Sequence, residues 1–221
     1  MNLDTFLYNQ SNRCDAYQLL STFYYPPTED TLLKIPALQA SLDYLCPQTQ
    51  PHVAQMQSRQ NLEQLQIDFS SLFAGPFKLL APPYGTVYLE GKREVMGVST
   101  LDARSRYKEA GLELSGQIKE APDHIAIELE FVYYLIFKEI EVFAQADSES
   151  AINYLEKQKA FLERHLGRWI TKFTNNIVQH ATTDFYKHLA QATKIFVQQD
   201  FKFISEILLT QPWKTRQKQV I

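Results

Sequence analysis

Glu120-Ala121-Pro122-Asp123-His124 leads into Ile125-Ala126-Ile127-Glu128-Leu129-Glu130-Phe131-Val132-Tyr133-Tyr134-Leu135-Ile136, a run that stays apolar to Phe143. Ile125, Ile127, Leu129, Phe131, Val132, Leu135, Ile136 and Ile140 fall nearly all round a helix, so this helix is expected at the centre of the fold. Asp123 is a residue type that accepts an orphan backbone N–H, and it is expected as the N-cap with Pro122 just outside. One other segment is as unusual. It runs from Leu72-Phe73-Ala74-Gly75-Pro76 through Ala81-Pro82-Pro83-Tyr84-Gly85-Thr86-Val87-Tyr88-Leu89 to Gly97, with three prolines and four glycines between 74 and 98. It is expected to be an irregular apolar loop, with Val87-Tyr88-Leu89 at most a brief extended piece and no sheet. A loop of this length inside a domain is usually functional.

The rest of the chain also reads as helix. Residues 3–24 form one helix that stops at Pro26-Pro27, since proline cannot continue it. A short helix follows at Thr31 to Leu33, and another starts near Pro36. In 52–73, Leu62, Leu65, Phe69, Leu72 and Phe73 make one stripe, ended by Gly75-Pro76. Ser99-Thr100-Leu101-Asp102 resembles a capping box and starts a helix that stops at Gly111. Asp147 or Ser148 starts a helix broken at Gly167, and a helix with Trp169, Ile170, Phe173 and Ile177 follows. Thr183-Asp184 opens the last helix, ended by Pro212 ahead of a basic tail, Thr215 to Ile221. No repeat has a fixed period. The expected fold is all-α: one domain, 1–221, of about nine to ten helices.

Composition excludes several classes. The formal net charge of −3 is wrong for a protein that holds nucleic acid by displacing counterions. No stretch reaches the ~20 apolar residues of a membrane span. No basic n-region precedes an apolar run at the start, so a cytoplasmic protein is expected. Cys14 and Cys46 form no C-x-x-C and read as free thiols. There is no G-x-x-x-x-G-K, no G-x-G-x-x-G and no G-x-S-x-G. The five histidines join no metal-binding motif, so no metal is expected.

Two candidates for chemistry remain. Glu120, Asp123 and Glu128 form an acidic patch, with His124 lining the same pocket; Glu128 lies four residues after His124, on one helix face. Such carboxylates pair bidentately with guanidinium groups. The same residues also read simply as a helix cap and its first turn. Pro83-Tyr84-Gly85 is either a turn with an aromatic plug or an exposed ring in an apolar groove suited to a peptide. Glu128 to Phe131 and Phe161 to Trp169 read as core packing.

In this order and spacing the quoted segments resemble the TorD/DmsD/NarJ family of redox-enzyme maturation chaperones, nearest its DmsD-like branch. His165-Leu166-Gly167-Arg168-Trp169 adds to the likeness, which spans residues 12–200. The resemblance implies a cytoplasmic, all-helical chaperone, not an enzyme. It would bind the twin-arginine signal peptide of a molybdopterin oxidoreductase while cofactor is loaded, before export. Carried over by position, the peptide-binding residues are Tyr24, Phe69, Leu72, Pro83, Tyr84, Gly97, Glu120, Asp123 and His124, to which the acidic patch adds Glu128. The apolar part of the leader would meet the loop of 74–98. Guanine nucleotide enters only through the resemblance. The chain departs from the family pattern at Ala121, where proline often follows the glutamate, and at Phe69 and Tyr84, where tryptophan is common. Other readings are a helical hydrolase with Asp123 as base and His124 as orienter, or a generic helical adaptor. Both a monomer and a dimer exchanging helices across 111–123 fit the sequence.

Overall fold

The computed structural model describes residues 3–58, 61–75, 78–91, 96–116 and 119–210. The helices are α1 (Leu3–Phe23), α2 (Glu29–Leu32), α3 (Ile35–Leu45), α4 (Gln50–Met56), α5 (Leu62–Phe69), α6 (Gly85–Leu89), α7 (Val98–Glu109), α8 (Ile125–Ala144), α9 (Ser148–Arg164), α10 (Leu166–His180) and α11 (Asp184–Thr210). All but α2 and α6 have seven residues or more, and no strand is present among the described residues. The expected Pro212 stop, the tail Thr215 to Ile221 and Pro76 lie outside the described residues.

Most boundaries have local causes. Thr28 caps α2 by accepting the Thr31 N–H, and Asp147 caps α9 by accepting that of Ser150. The single helix expected over 52–73 is two. The Ser58 N–H and hydroxyl both turn back onto the Gln55 carbonyl, closing α4, and Asn61 caps α5 afresh. From α5 the chain passes directly into a π turn, Ser70–Ala74. The expected break at Gly167 instead falls on His165 (φ −121°, ψ −105°), between α9 and α10. Gly167 sits in the first turn of α10, where a Cβ would run into the Leu162 carbonyl, so the glycine permits the tight joint.

α8 is central as expected. It packs on α1 and on α9, while α11 packs on α10, α9 and α4. Ile125, Leu129, Val132, Leu135 and Ile136 are buried in this core, where each fully buried aliphatic side chain contributes about 1.5–3 kcal/mol. A polar cluster lies within it. Arg13 donates to Asp200 (Nε to Oδ1, 2.5 Å; Nη2 to Oδ2, 3.0 Å) and to Gln158 Oε1 (2.9 Å). Tyr17 donates to Asp200 (2.8 Å), and Gln158 donates to Glu139 (2.7 Å). These bonds tie α1, α8, α9 and α11 together. On another face Asp68 of α5 accepts N–H groups of Thr182 and Thr183 and the Thr183 hydroxyl (3.1, 2.8 and 2.6 Å), at the start of α11.

Cys14 and Cys46 are free and buried, and burial pushes the Cys14 thiol up to about 12. No described helix is long and apolar enough to cross a membrane.

Candidate functional site

The loop and the start of α8 are fastened together. After the π turn the chain folds back, with Ala81 N–H donating to Leu72 O (3.0 Å). It then makes one antiparallel bridge, Tyr84 opposite His124. Gly85 N–H donates to Asp123 O and Ile125 N–H to Pro83 O, both 2.9 Å. The bridge brings two of the quoted segments to one place.

Asp123 is not the cap of its own helix. Its Oδ2 accepts the Thr86 N–H (2.7 Å) and so holds the start of α6. The cap of α8 is His124, whose Nδ1 accepts the Ala126 N–H (3.2 Å). An imidazole can substitute for the usual capping oxygen because its unprotonated nitrogen is an equivalent acceptor. Val87 to Leu89, expected to be extended, belong to α6. Besides the Asp123 cap, Tyr88 stacks on Trp169 of α10 (5.6 Å, 12°), and Gly85 lies so close that a Cβ would come 3.0 Å from the indole nitrogen. The apolar loop is apolar because much of it is core.

Ser99 does not cap α7, which begins at Val98 after Gly97. Instead Glu90 Oε1 accepts the Ser99 N–H (2.8 Å) and hydroxyl (2.6 Å). A Cβ at Gly97 would collide with that carboxylate and with Thr86 Oγ1, so glycine here admits Glu90.

The expected acidic patch separates by depth. Asp123, His124 and Glu128 are buried, at 1%, 4% and 0% exposure. Glu128 accepts the Trp169 indole N–H (2.9 Å), and burial lifts its pKa well above the carboxylate range. Burial also raises Asp123, against the opposing effect of the Thr86 N–H. It lowers His124 to about 4, with Glu120 opposing, so the ring is neutral. His124 and Glu128 therefore do not share an accessible face. Glu120 is the member of the patch near solvent. It accepts the Tyr84 hydroxyl (2.6 Å), so Tyr84 is a half-buried, engaged ring and not a free one.

Two residues that sequence reasoning left aside complete the site. Tyr84 meets His124 edge-on (5.3 Å, 69°), and Tyr25 stacks on the same imidazole (6.1 Å, 21°). The Tyr25 hydroxyl lies near the Glu130 carboxylate, which accepts Ser21 Oγ (3.0 Å). The result is a strip, Glu120–Tyr84–His124–Tyr25–Glu130, aromatic in the middle with a partly exposed carboxylate at each end. Only the position of Tyr25 beside Pro26, where α1 must stop, marked it in the sequence.

Tyr24, Phe69 and Leu72 do not join this strip. Tyr24 is buried, donates to Thr193 (3.0 Å) and packs on Phe173 (5.6 Å). Phe69 packs on Phe73 (5.3 Å), and Leu72 is fully buried. They form the floor under the returning loop. No group of three or more metal-ligating side chains is assembled among the described residues.

The protein is thus a helical bundle with a partly exposed aromatic and acidic strip, whose imidazole caps α8 and whose neighbour Asp123 holds the start of α6. Comparison with known proteins identifies the class. The sequence model of the nitrate reductase delta subunit family matches residues 35–175, and the chain belongs to that family, the NarJ/TorD family of redox-enzyme maturation chaperones. The Tat proofreading chaperone DmsD of Salmonella typhimurium is 28% identical over 204 residues, 89% of this chain and 92% of its own. The chaperone protein TorD of Salmonella arizonae is 33% identical over 170 residues, 76% of this chain and 72% of its own. The crystal structure of a candidate redox enzyme maturation protein from Archaeoglobus fulgidus shares the fold, with TM-score 0.56 and 23% identity over 84% of this chain and 93% of that one.

Proposed function

We propose that this chain is a cytoplasmic chaperone that binds the twin-arginine signal peptide of a molybdopterin oxidoreductase during cofactor loading, before export. The observation that carries the reading is the strip at the start of α8. Glu120 lies near solvent beside Tyr84 and His124, so a guanidinium can pair with the carboxylate and lie against the rings. Tyr84 supplies the neighbouring surface, and Pro83, itself buried, accepts the Ile125 N–H. Asp123 and Glu128 act from beneath: one fixes α6 and the other anchors Trp169. Tyr24, Phe69 and Leu72 support the loop, and Gly97 lets Glu90 tie α7 to α6.

The hydrolase alternative lacks the arrangement it needs. Asp123 and His124 each engage a different backbone N–H, one on α6 and one on α8. The test is binding of a twin-arginine leader and its Lys-Lys counterpart. The Arg-Arg leader is expected to bind more tightly, and more so at low salt, because part of the attraction is screened. Equal binding of both leaders would remove the arginine-specific part of the reading.

A further inference from the structure

A groove of about 400 Å³ opens beside Glu130, between α1, α8 and the connector that follows α7. Leu112, Leu114, Ile127 and Tyr134 give it apolar walls, and its charged lining residues are both acidic, Glu113 and Glu130. Glu130 thus belongs at once to the end of the aromatic strip and to the groove. Its donor Ser21 is a neutral hydroxyl. A carboxylate offers about four acceptor positions, so Glu130 keeps capacity for a cation. The loop of 74–98 has less to offer an apolar ligand, because Ala81 is buried and Tyr88 is stacked on Trp169.

We infer that Glu130 is a second guanidinium acceptor, opposite Glu120 across the strip, and that the groove beside it holds the apolar segment that follows the arginines of the leader. This rests on the reading above and assigns it a direction: charge on the strip, apolar side chains between α1, α8 and the connector. A twin-arginine leader presents its charged and apolar parts in the same succession. The two glutamates of the groove, with no lysine or arginine lining it, favour this occupant over an acidic or neutral peptide.

The test is calorimetric binding of a synthetic twin-arginine leader, its Lys-Lys counterpart, and a version whose apolar segment carries serines. Four variants, Glu130→Gln, Leu114→Ser, Gln18→Arg and Glu120→Gln, are compared with the unaltered chain. Glu130→Gln is expected to weaken the Arg-Arg leader about tenfold, the worth of a hydrogen bond to a charged group, and to affect the Lys-Lys leader less. Leu114→Ser is expected to weaken the intact leader but barely alter the serine version. Gln18→Arg, an exposed change on the groove rim, is expected to weaken the Arg-Arg leader by repulsion, and it covers the case in which Leu114→Ser does not fold. If Glu120→Gln loses the arginine preference while Glu130→Gln and Gln18→Arg bind as the unaltered chain does, the groove assignment is wrong and the proposed function stands. If the unaltered chain shows no arginine preference, both fall.

Discussion

Two of the polar clusters in this bundle are built to opposite ends. Around Arg13 and Asp200 each charge meets another charge or a hydroxyl or amide inside the core, joining four helices. Around the start of α8 the cluster is graded: Asp123, His124 and Glu128 are sealed, while Glu120 and Glu130 reach solvent. Both contain buried acids. What separates the structural brace from the proposed binding site is the outer pair of carboxylates, which are partly exposed.

The largest expected effect breaks the brace. Asp200→Ala leaves the Arg13 guanidinium buried without its main partner and is expected to cost about 3–5 kcal/mol in urea unfolding. Replacing Arg13 and Asp200 together by Met and Leu is expected to recover most of that loss, since no lone charge stays buried. A cost below about 1 kcal/mol for Asp200→Ala would mean that water reaches the cluster.

The next effect is a pH dependence of the graded cluster. His124 titrates near 4 when folded, against about 6.5 when unfolded, so the unfolded chain takes up more protons between those values. Its contribution is therefore present above about pH 6.5 and lost as pH falls toward 4, by about 2 kcal/mol between pH 7 and pH 5. Glu128 works the other way, because its raised pKa makes its burial more costly as pH rises above the usual carboxylate range. His124→Asn, which keeps a capping acceptor, is expected to flatten the first contribution; Glu128→Gln is expected to remove the second and to gain most at high pH. Urea unfolding of each variant at several pH values separates the two.

Of similar size is Trp169→Phe. It strips the donor from Glu128 and is expected to cost about 1–3 kcal/mol by denaturation, with less of the loss at acid pH. The smallest effect on stability is expected from Glu120→Gln, within about 0.5 kcal/mol as for most surface changes. That variant is nonetheless expected to lose several-fold in affinity for the Arg-Arg leader. A Glu120→Gln protein that unfolds easily would place Glu120 with the brace and erase the contrast between the clusters.

The bundle was legible where periodicity and stop signals agree. The apolar run of α8, Pro26-Pro27 after α1 and the Asp147 cap each have a local cause. The two segments singled out in the sequence do meet, at the Tyr84–His124 bridge, but the depth of their residues was not legible. Asp123 is a good capping residue, and sequence alone has no means of showing that it caps α6 across the chain. Val87-Tyr88-Leu89 looked extended because nothing near it announces Trp169, about eighty residues on, as its stacking partner. Tyr25 was not singled out, and Glu130 was read as core packing, because Ser21, Tyr25, His124 and Glu130 come together only when α1 lies against α8.

Asp68 carries a consequence of its own. It is made 114 residues before the Thr182 amide it must hold. At the pace of synthesis that separation is on the order of ten seconds. By the end of that interval the nascent chain has α1 and α8 available to each other, but α4 still waits for α11. The chaperone is thus itself a slow finisher. Until its last long helix emerges, α4 and α10 lack the helix they pack on, and Asp68 lacks the amides it holds.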